Sequence, residues 1–184
     1  MSDHQLQANA LFHISEDPKI RIFEPRPSPW PFDGIIGDVV FAISRRLLHN
    51  YILPRDCPRV TFYQGPETSM RDIEKFFGSS TADYVMAVEK LWLKKIEQTT
   101  LYCYEFPAQG FTLIDACAEY YISYEPVIPV SVKPIYNILE CLLQRNIELR
   151  FLPSIAGLAE EVKQSSLQFS LIRMKNAVVS RSER

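Results

Sequence analysis

The stretch ALFHISEDPKI, residues 10–20, sets His13 among strand-forming residues and then breaks at Ser15-Glu16-Asp17-Pro18. Strand alternation puts Leu11, His13 and Ser15 on one face and Ala10, Phe12 and Ile14 on the other. An imidazole and a hydroxyl two residues apart, at a strand end beside a loop, can share one cleft, and such loops are where ligands bind. The alternative is a core histidine whose ring bonds a backbone carbonyl. The residues alone leave both open.

A second dense group is PRDCPR, residues 54–59, in which Arg55 and Arg59 bracket Asp56 and Cys57 in a turn fixed by Pro54 and Pro58. Guanidinium forks suit phosphate, and with Arg26 these two match the pyrophosphate of a dinucleotide. An internal Arg–Asp pair that locks the turn is the competing reading. Two flanking arginines would lower the pKa of Cys57, but no histidine stands at a spacing that would make a nucleophile–base pair. Arg173, inside the apolar SLIRMKNA, calls for an anionic partner: a ligand, or a carboxylate such as Glu148 or Glu160. Glu119 and Glu125 would share one face of a regular strand, yet six residues at about 3.3 Å each hold them roughly 20 Å apart, so one site uses one of them. Neither G-x-S-x-G nor H-E-x-x-H occurs, which ranks a hydrolase built on His13 with Asp17 or Asp56 last. The four cysteines, Cys57, Cys103, Cys117 and Cys141, form no C-x-x-C, so neither a structural disulfide nor a structural zinc is expected.

The elements that must position these groups follow from patterning. Residues 10–15 read as a strand. Prolines at 25, 27, 29 and 31 make EPRPSPWPFDG an extended loop. DVVFAIS, residues 38–44, is apolar on both faces and reads as a buried strand. A short helix in RRLLHNY must stop before Pro54. RVTFY, residues 59–63, alternates with Val60 and Phe62 inward. SSTADYVMAVEKLWLKKIEQ, residues 79–98, reads as the best helix, with a Ser80–Asp83 capping box and a stripe of Val85, Val88, Trp92 and Ile96. TTLYCYEF and AEYYISYEPVIPVSV are strand-like. Ile135, Ile138, Leu139 and Leu142 predict a second amphipathic helix, IELRFL a strand, and residues 155–164 a further helix. The tail is apolar to about Val179 and polar beyond it. The expected architecture is α+β, with antiparallel or mixed strands in the middle and helices inserted between them. A single domain over 1–184 is expected, with its ends, 1–8 and 180–184, expected to be flexible.

A chain of 184 residues can bury a real core, and 47% hydrophobic with 23% charged content is that of a globular protein. A formal charge of -2 argues against bulk nucleic-acid binding. No apolar run approaches the roughly 18 residues that cross a bilayer, and MSDHQLQANA has no apolar h-region. A cytoplasmic location is expected.

LFHIS resembles the first motif of the ADP-ribosyltransferase fold, a short strand with an L-x-H-x-S/T pattern. VVFAIS followed by LLHNY resembles its second, an aromatic strand running into a helix, and AEYYISYEPVIP its third, a strand opened by a glutamate. The three stand in the family's order and cover about a quarter of the chain. The resemblance implies two small sheets around a cleft that binds NAD or a related nucleotide. It makes His13 and Ser15 ribose contacts and Phe41 or Tyr51 the nicotinamide platform. Glu119, which opens its strand, becomes the carboxylate that bonds the ribose 2′-hydroxyl and stabilises the cationic sugar; Glu125 is the other choice. The departures are the lack of a glycine-rich phosphate loop, Cys117 where a second acid would stand, and no target-binding loop, and they leave catalysis open. The alternative is a non-catalytic protein that holds an anionic small molecule or partner through Arg26, Arg55 and Arg59. The whole chain also resembles a bacterial family of unknown function, through LFHISEDPKI, PRDCPRVTF and FSLIRMKNA.

Overall fold

The computed structural model describes residues 10–28 and 35–178. Ten strands occur among them: β1 (Ala10–Ser15), β2 (Val40–Ile43), β3 (Arg59–Tyr63), β4 (Tyr84–Glu89), β5 (Leu101–Pro107), β6 (Thr112–Asp115), β7 (Tyr120–Ser123), β8 (Ser131–Ile135), β9 (Ile147–Leu152) and β10 (Gln168–Ile172). The helices are α1 (Met70–Phe77), α2 (Leu93–Gln98), α3 (Ile138–Leu143) and α4 (Ala156–Lys163). The α+β class expected from the sequence is what folds. Two compact units divide the chain, one from residues 1–52 and 100–136, the other from 53–99 and 137–184.

The first unit is built on a six-stranded sheet in the order β6-β7-β2-β1-β5-β8, each neighbouring pair antiparallel. Leu11, Val40, Ala42, Tyr104 and Phe106 project from one face into a core that Phe23 and Val127 complete. Phe23 and Val127 face each other across an isolated bridge. β1 matches the expected strand residue for residue, and β2 falls inside 38–44. The RRLLHNY helix is a short 3-10 turn, Leu48–Tyr51. The part of the proline-rich loop from 29 to 34, the amino-terminal end through residue 9 and the tail from 179 lie outside the described residues.

The second unit holds a four-stranded sheet, β10-β3-β4-β9, in which β4 and β9 run parallel. Val60, Phe62, Val85 and Ala87 pack against Phe76 and Phe77 of α1 and Ile155, Ala159 and Val162 of α4 or its lead-in. This unit corrects the helix expected over 79–98. Residues 84–89 form β4, central in its sheet, and only Leu93–Gln98 are α-helical. The cause lies in the run Tyr84-Val85-Met86-Ala87-Val88, apolar at every position, whose residues 85–89 are all buried. A central strand covered on both faces wants such a run, whereas the helical spacing of Val85, Val88, Trp92 and Ile96 joins residues of two different elements. The capping box is absent too: Ser80 Oγ accepts from Ala82 N, and Asp83 N donates to the Asn146 carbonyl. In β3, Arg59 and Thr61 are buried along with Val60 and Phe62, so the expected alternation fails there as well. Ile135 ends β8 instead of entering α3. Helix α1 was not expected, because MRDIEKFF buries only Phe76 and Phe77, and the tail contributes β10.

Candidate functional site

The register of the first unit fixes which side chains share a face. Phe12 lies opposite Ile43, so His13 lies opposite Ala42, and Ala42 in turn lies opposite Tyr121. His13, Ala42 and Tyr121 therefore form one row across β1, β2 and β7, all pointing the same way. The next row, just before the start of β7, carries Ser44 and Glu119. Two interstrand steps of about 4.8 Å and two residue steps of about 3.3 Å set the His13 and Glu119 Cα atoms roughly 12 Å apart.

His13 is half-buried. Its Nδ1 lies 3.0 Å from the Phe41 carbonyl oxygen. A carbonyl only accepts, so Nδ1 carries the proton and, in the neutral ring, Nε2 carries the lone pair. Phe23 packs against the imidazole with ring centroids 4.9 Å apart, and Phe106 lies at 6.3 Å. This is the backbone-satisfied histidine of the alternative reading, set at the margin of the apolar core. Ser15 Oγ accepts from Asp17 N at 3.0 Å and shapes the turn that ends β1.

Glu119 stands just before β7 in a left-handed conformation, φ 51°. Few non-glycine residues adopt that backbone, and where they do the surroundings must enforce it. Here Ser44 Oγ and Arg46 Nε both donate to its carboxylate, one to each oxygen. Glu119 retains 22% side-chain exposure and Arg46 45%, so the pair faces solvent. Neither Ser44 nor Arg46 was singled out in the sequence, since the turn after β2 that folds them toward Glu119 bridges more than seventy residues of chain. Tyr121 was missed as well, although alternation from Glu119 would have placed it on the same face. Glu125 is exposed beyond the end of β7, where its backbone N–H donates to Ser123 Oγ and its carbonyl accepts from that hydroxyl.

The remaining candidates fall elsewhere. The pleat turns Phe41, opposite Ile122, to the face away from His13. Tyr51 joins that second face through a hydroxyl contact with Tyr120. Arg26 is exposed at a bridge with Val39. Arg55 and Arg59 belong to the second unit. Arg55 is exposed, but Arg59 is 2% exposed and its Nη1 donates to the carbonyls of Cys57 at 2.9 Å and Pro54 at 3.4 Å. Its guanidinium thus ties the turn through backbone oxygens. Burial pushes the Cys57 thiol up to about 12, outweighing the downward pull of Arg59. The lowered thiol suggested by the flanking arginines is reversed because Cys57 is sealed from water. Arg173 Nε donates to the Arg55 carbonyl, while Glu148 pairs with Arg150 and Glu160 with Lys163.

Among the described residues no group of three or more His, Cys, Asp or Glu side chains is placed to hold a metal ion, and no helix is long and apolar enough to cross a membrane. Compared with known proteins, residues 12–177 match the model of a family of unknown function, DUF6886. No curated protein and no solved structure matches the chain.

Proposed function

The chain belongs to the DUF6886 family of unknown function, and we propose that its six-stranded unit is an ADP-ribosyltransferase-like domain that binds NAD or a related nucleotide. One observation carries the reading: His13 and Glu119 share a sheet face, and Glu119 occupies a left-handed backbone with its carboxylate oriented by Ser44 and Arg46. The donor and acceptor set suits a sugar. His13 Nε2 accepts from a ribose hydroxyl while the Phe41 carbonyl fixes the tautomer. Ser15 lies on the same face one row beyond His13, on the side away from Glu119. NAD supplies a nicotinamide ribosyl bond whose breakage leaves positive charge on the sugar. The Glu119 carboxylate, held in advance by Ser44 and Arg46, stabilises that charge without reorganising. Tyr121, in the row of His13 and two residues along the chain from Glu119, takes the role of ring platform in place of Phe41 or Tyr51. Of Arg26, Arg55 and Arg59, only Arg26 belongs to this unit, and, exposed at its bridge, it takes the pyrophosphate.

Incubation with NAD, with free nicotinamide measured by chromatography, tests this. Release is expected from the unaltered protein, falling about 100-fold in Glu119→Gln and by a smaller factor in His13→Ala. NAD should still raise the melting temperature of Glu119→Gln. Release indifferent to both substitutions, or no stabilisation by NAD at all, would defeat the reading. Stabilisation by phosphate compounds lacking nicotinamide, without turnover, would support the non-catalytic anion-binding alternative.

A further inference from the structure

The second unit buries a thiol and a carboxylate close to the anchor points of its last described segment. Cys57 and Glu89 are both 0% exposed. Glu89 ends β4, and its Oε2 has no hydrogen-bond partner among the described residues. A buried carboxylate oxygen without a donor is costly, which marks it as a group kept for something other than packing. Its charge acts on the Cys57 thiol, together with those of Arg59 and Lys95.

Residues 173–178 are tied to Glu89 and to the two residues before Cys57. Arg173 Nε donates to the Arg55 carbonyl at 3.2 Å and Asn176 Nδ2 to the Asp56 carbonyl at 2.8 Å, the two residues just before Cys57. Val178 N donates to Glu89 Oε1 at 2.7 Å, and Ser154 Oγ to the Val178 carbonyl at 3.0 Å. The segment itself is a 3-10 turn, Met174–Asn176, with Lys175, Asn176 and Val178 exposed. Arg173, where the chain leaves β10, has φ 56°. A left-handed residue at its start, a short turn that lays only the half-buried Met174 and Ala177 against the core, and a few single hydrogen bonds describe a segment that opens locally while the core stays folded.

We propose that Arg173–Val178 is a hinged strap whose opening exposes Cys57 and Glu89 and makes Cys57 the modification site of this unit for soft electrophiles. The strap joins PRDCPR and SLIRMKNA, two stretches that the nucleotide reading leaves without a role. Opening removes the burial that raises the thiol and leaves Arg59 beside it, so the exposed cysteine ionises more readily than the covered one.

Iodoacetamide tests the strap. The thiolate sulfur displaces iodide, the thiol proton goes to solvent, and peptide mass spectrometry reads each cysteine separately. Cys117, already exposed, serves as the internal reference. Asn176→Ala removes one tie, and Val178→Pro removes the N–H held by Glu89. Proline is tolerated there because Ala177, at φ -69° and ψ 147°, already has the extended conformation that precedes proline. Each substitution should speed Cys57 alkylation about fivefold with the urea midpoint nearly unchanged, and the rate should rise with pH well below 12. Labelling of Cys57 unchanged in both variants, or increasing only in step with lost global stability, overturns the proposal.

Discussion

Arg59 is a charged side chain almost wholly out of water, held by the carbonyls of its own turn. Removing it orphans buried carbonyl acceptors, and such losses run to several kcal/mol. Arg59→Leu is therefore expected to cost about 3 kcal/mol in urea unfolding, whereas the exposed Arg55, cut to alanine, should cost less than about 0.5 kcal/mol. Equal effects would mean that the turn does not depend on the buried guanidinium. Asn146 makes a second residue-level case. It follows α3 at φ 56°, where its carbonyl accepts from Asp83 N. Glycine tolerates that backbone and a β-branched side chain does not. Asn146→Gly should be close to neutral and Asn146→Val should destabilise by about 2 kcal/mol; thermal melts of the two variants decide it.

At the level of elements, α1 shows how a helix with little apolar surface is kept in place. Ser69 Oγ accepts from Asp72 N, and the Asp72 carboxylate accepts from Ser166 Oγ at 2.6 Å and Ser166 N at 2.8 Å. The Ser166 hydroxyl, then its backbone N–H, hold the Asp72 carboxyl below its ordinary value. A depressed carboxylate stabilises the fold above its unfolded pKa, near pH 4, and that stability is lost as the pH falls through the lower folded value. Asp72→Asn should accordingly flatten the decline of the urea midpoint below about pH 4, and an unchanged acid limb would count against the tie. In the core of the same unit, Phe62→Ala should cost about 4 kcal/mol, because Phe62 is fully buried and meets Phe76 and Phe77 edge-on at 5.7 and 5.6 Å. Which elements were legible in the sequence follows from the same physics. Strands β1, β3 and β9 show in their residue pattern because each is a short apolar or alternating run between breakers. Strand β4 does not, since an all-apolar central strand and a buried helix look alike over five residues. At the candidate site His13, Ser15 and Glu119 were readable from type and alternation. Ser44 and Arg46 were not, because their roles depend on a contact made only after β2 and β7 pair.

For the whole molecule, the decisive feature is that each unit is assembled from two separated stretches of chain. The segment 100–136 interrupts the second unit, and its β5 and β8 return the chain to its point of departure: Leu101 lies opposite Ile135. Opposed residues of antiparallel strands have Cα atoms about 5 Å apart, so the ends of the interruption lie close together. The second unit also has its own core, from Val60 and Phe62 through Phe76 and Phe77 to Ile155 and Val162. Both conditions for excision are met. Residues 53–99 joined to 137–184 by a linker of about four glycines and serines should fold, unfold in one cooperative urea transition and protect Cys57 from iodoacetamide as the full chain does. Loss of cooperativity would show that this core needs the six-stranded sheet to complete it. The excised unit should also show no thermal stabilisation by NAD, because His13, Tyr121 and Glu119 all belong to the part removed. A shift by NAD in the excised unit would move the nucleotide site to the second unit and leave the His13–Glu119 face without its proposed ligand.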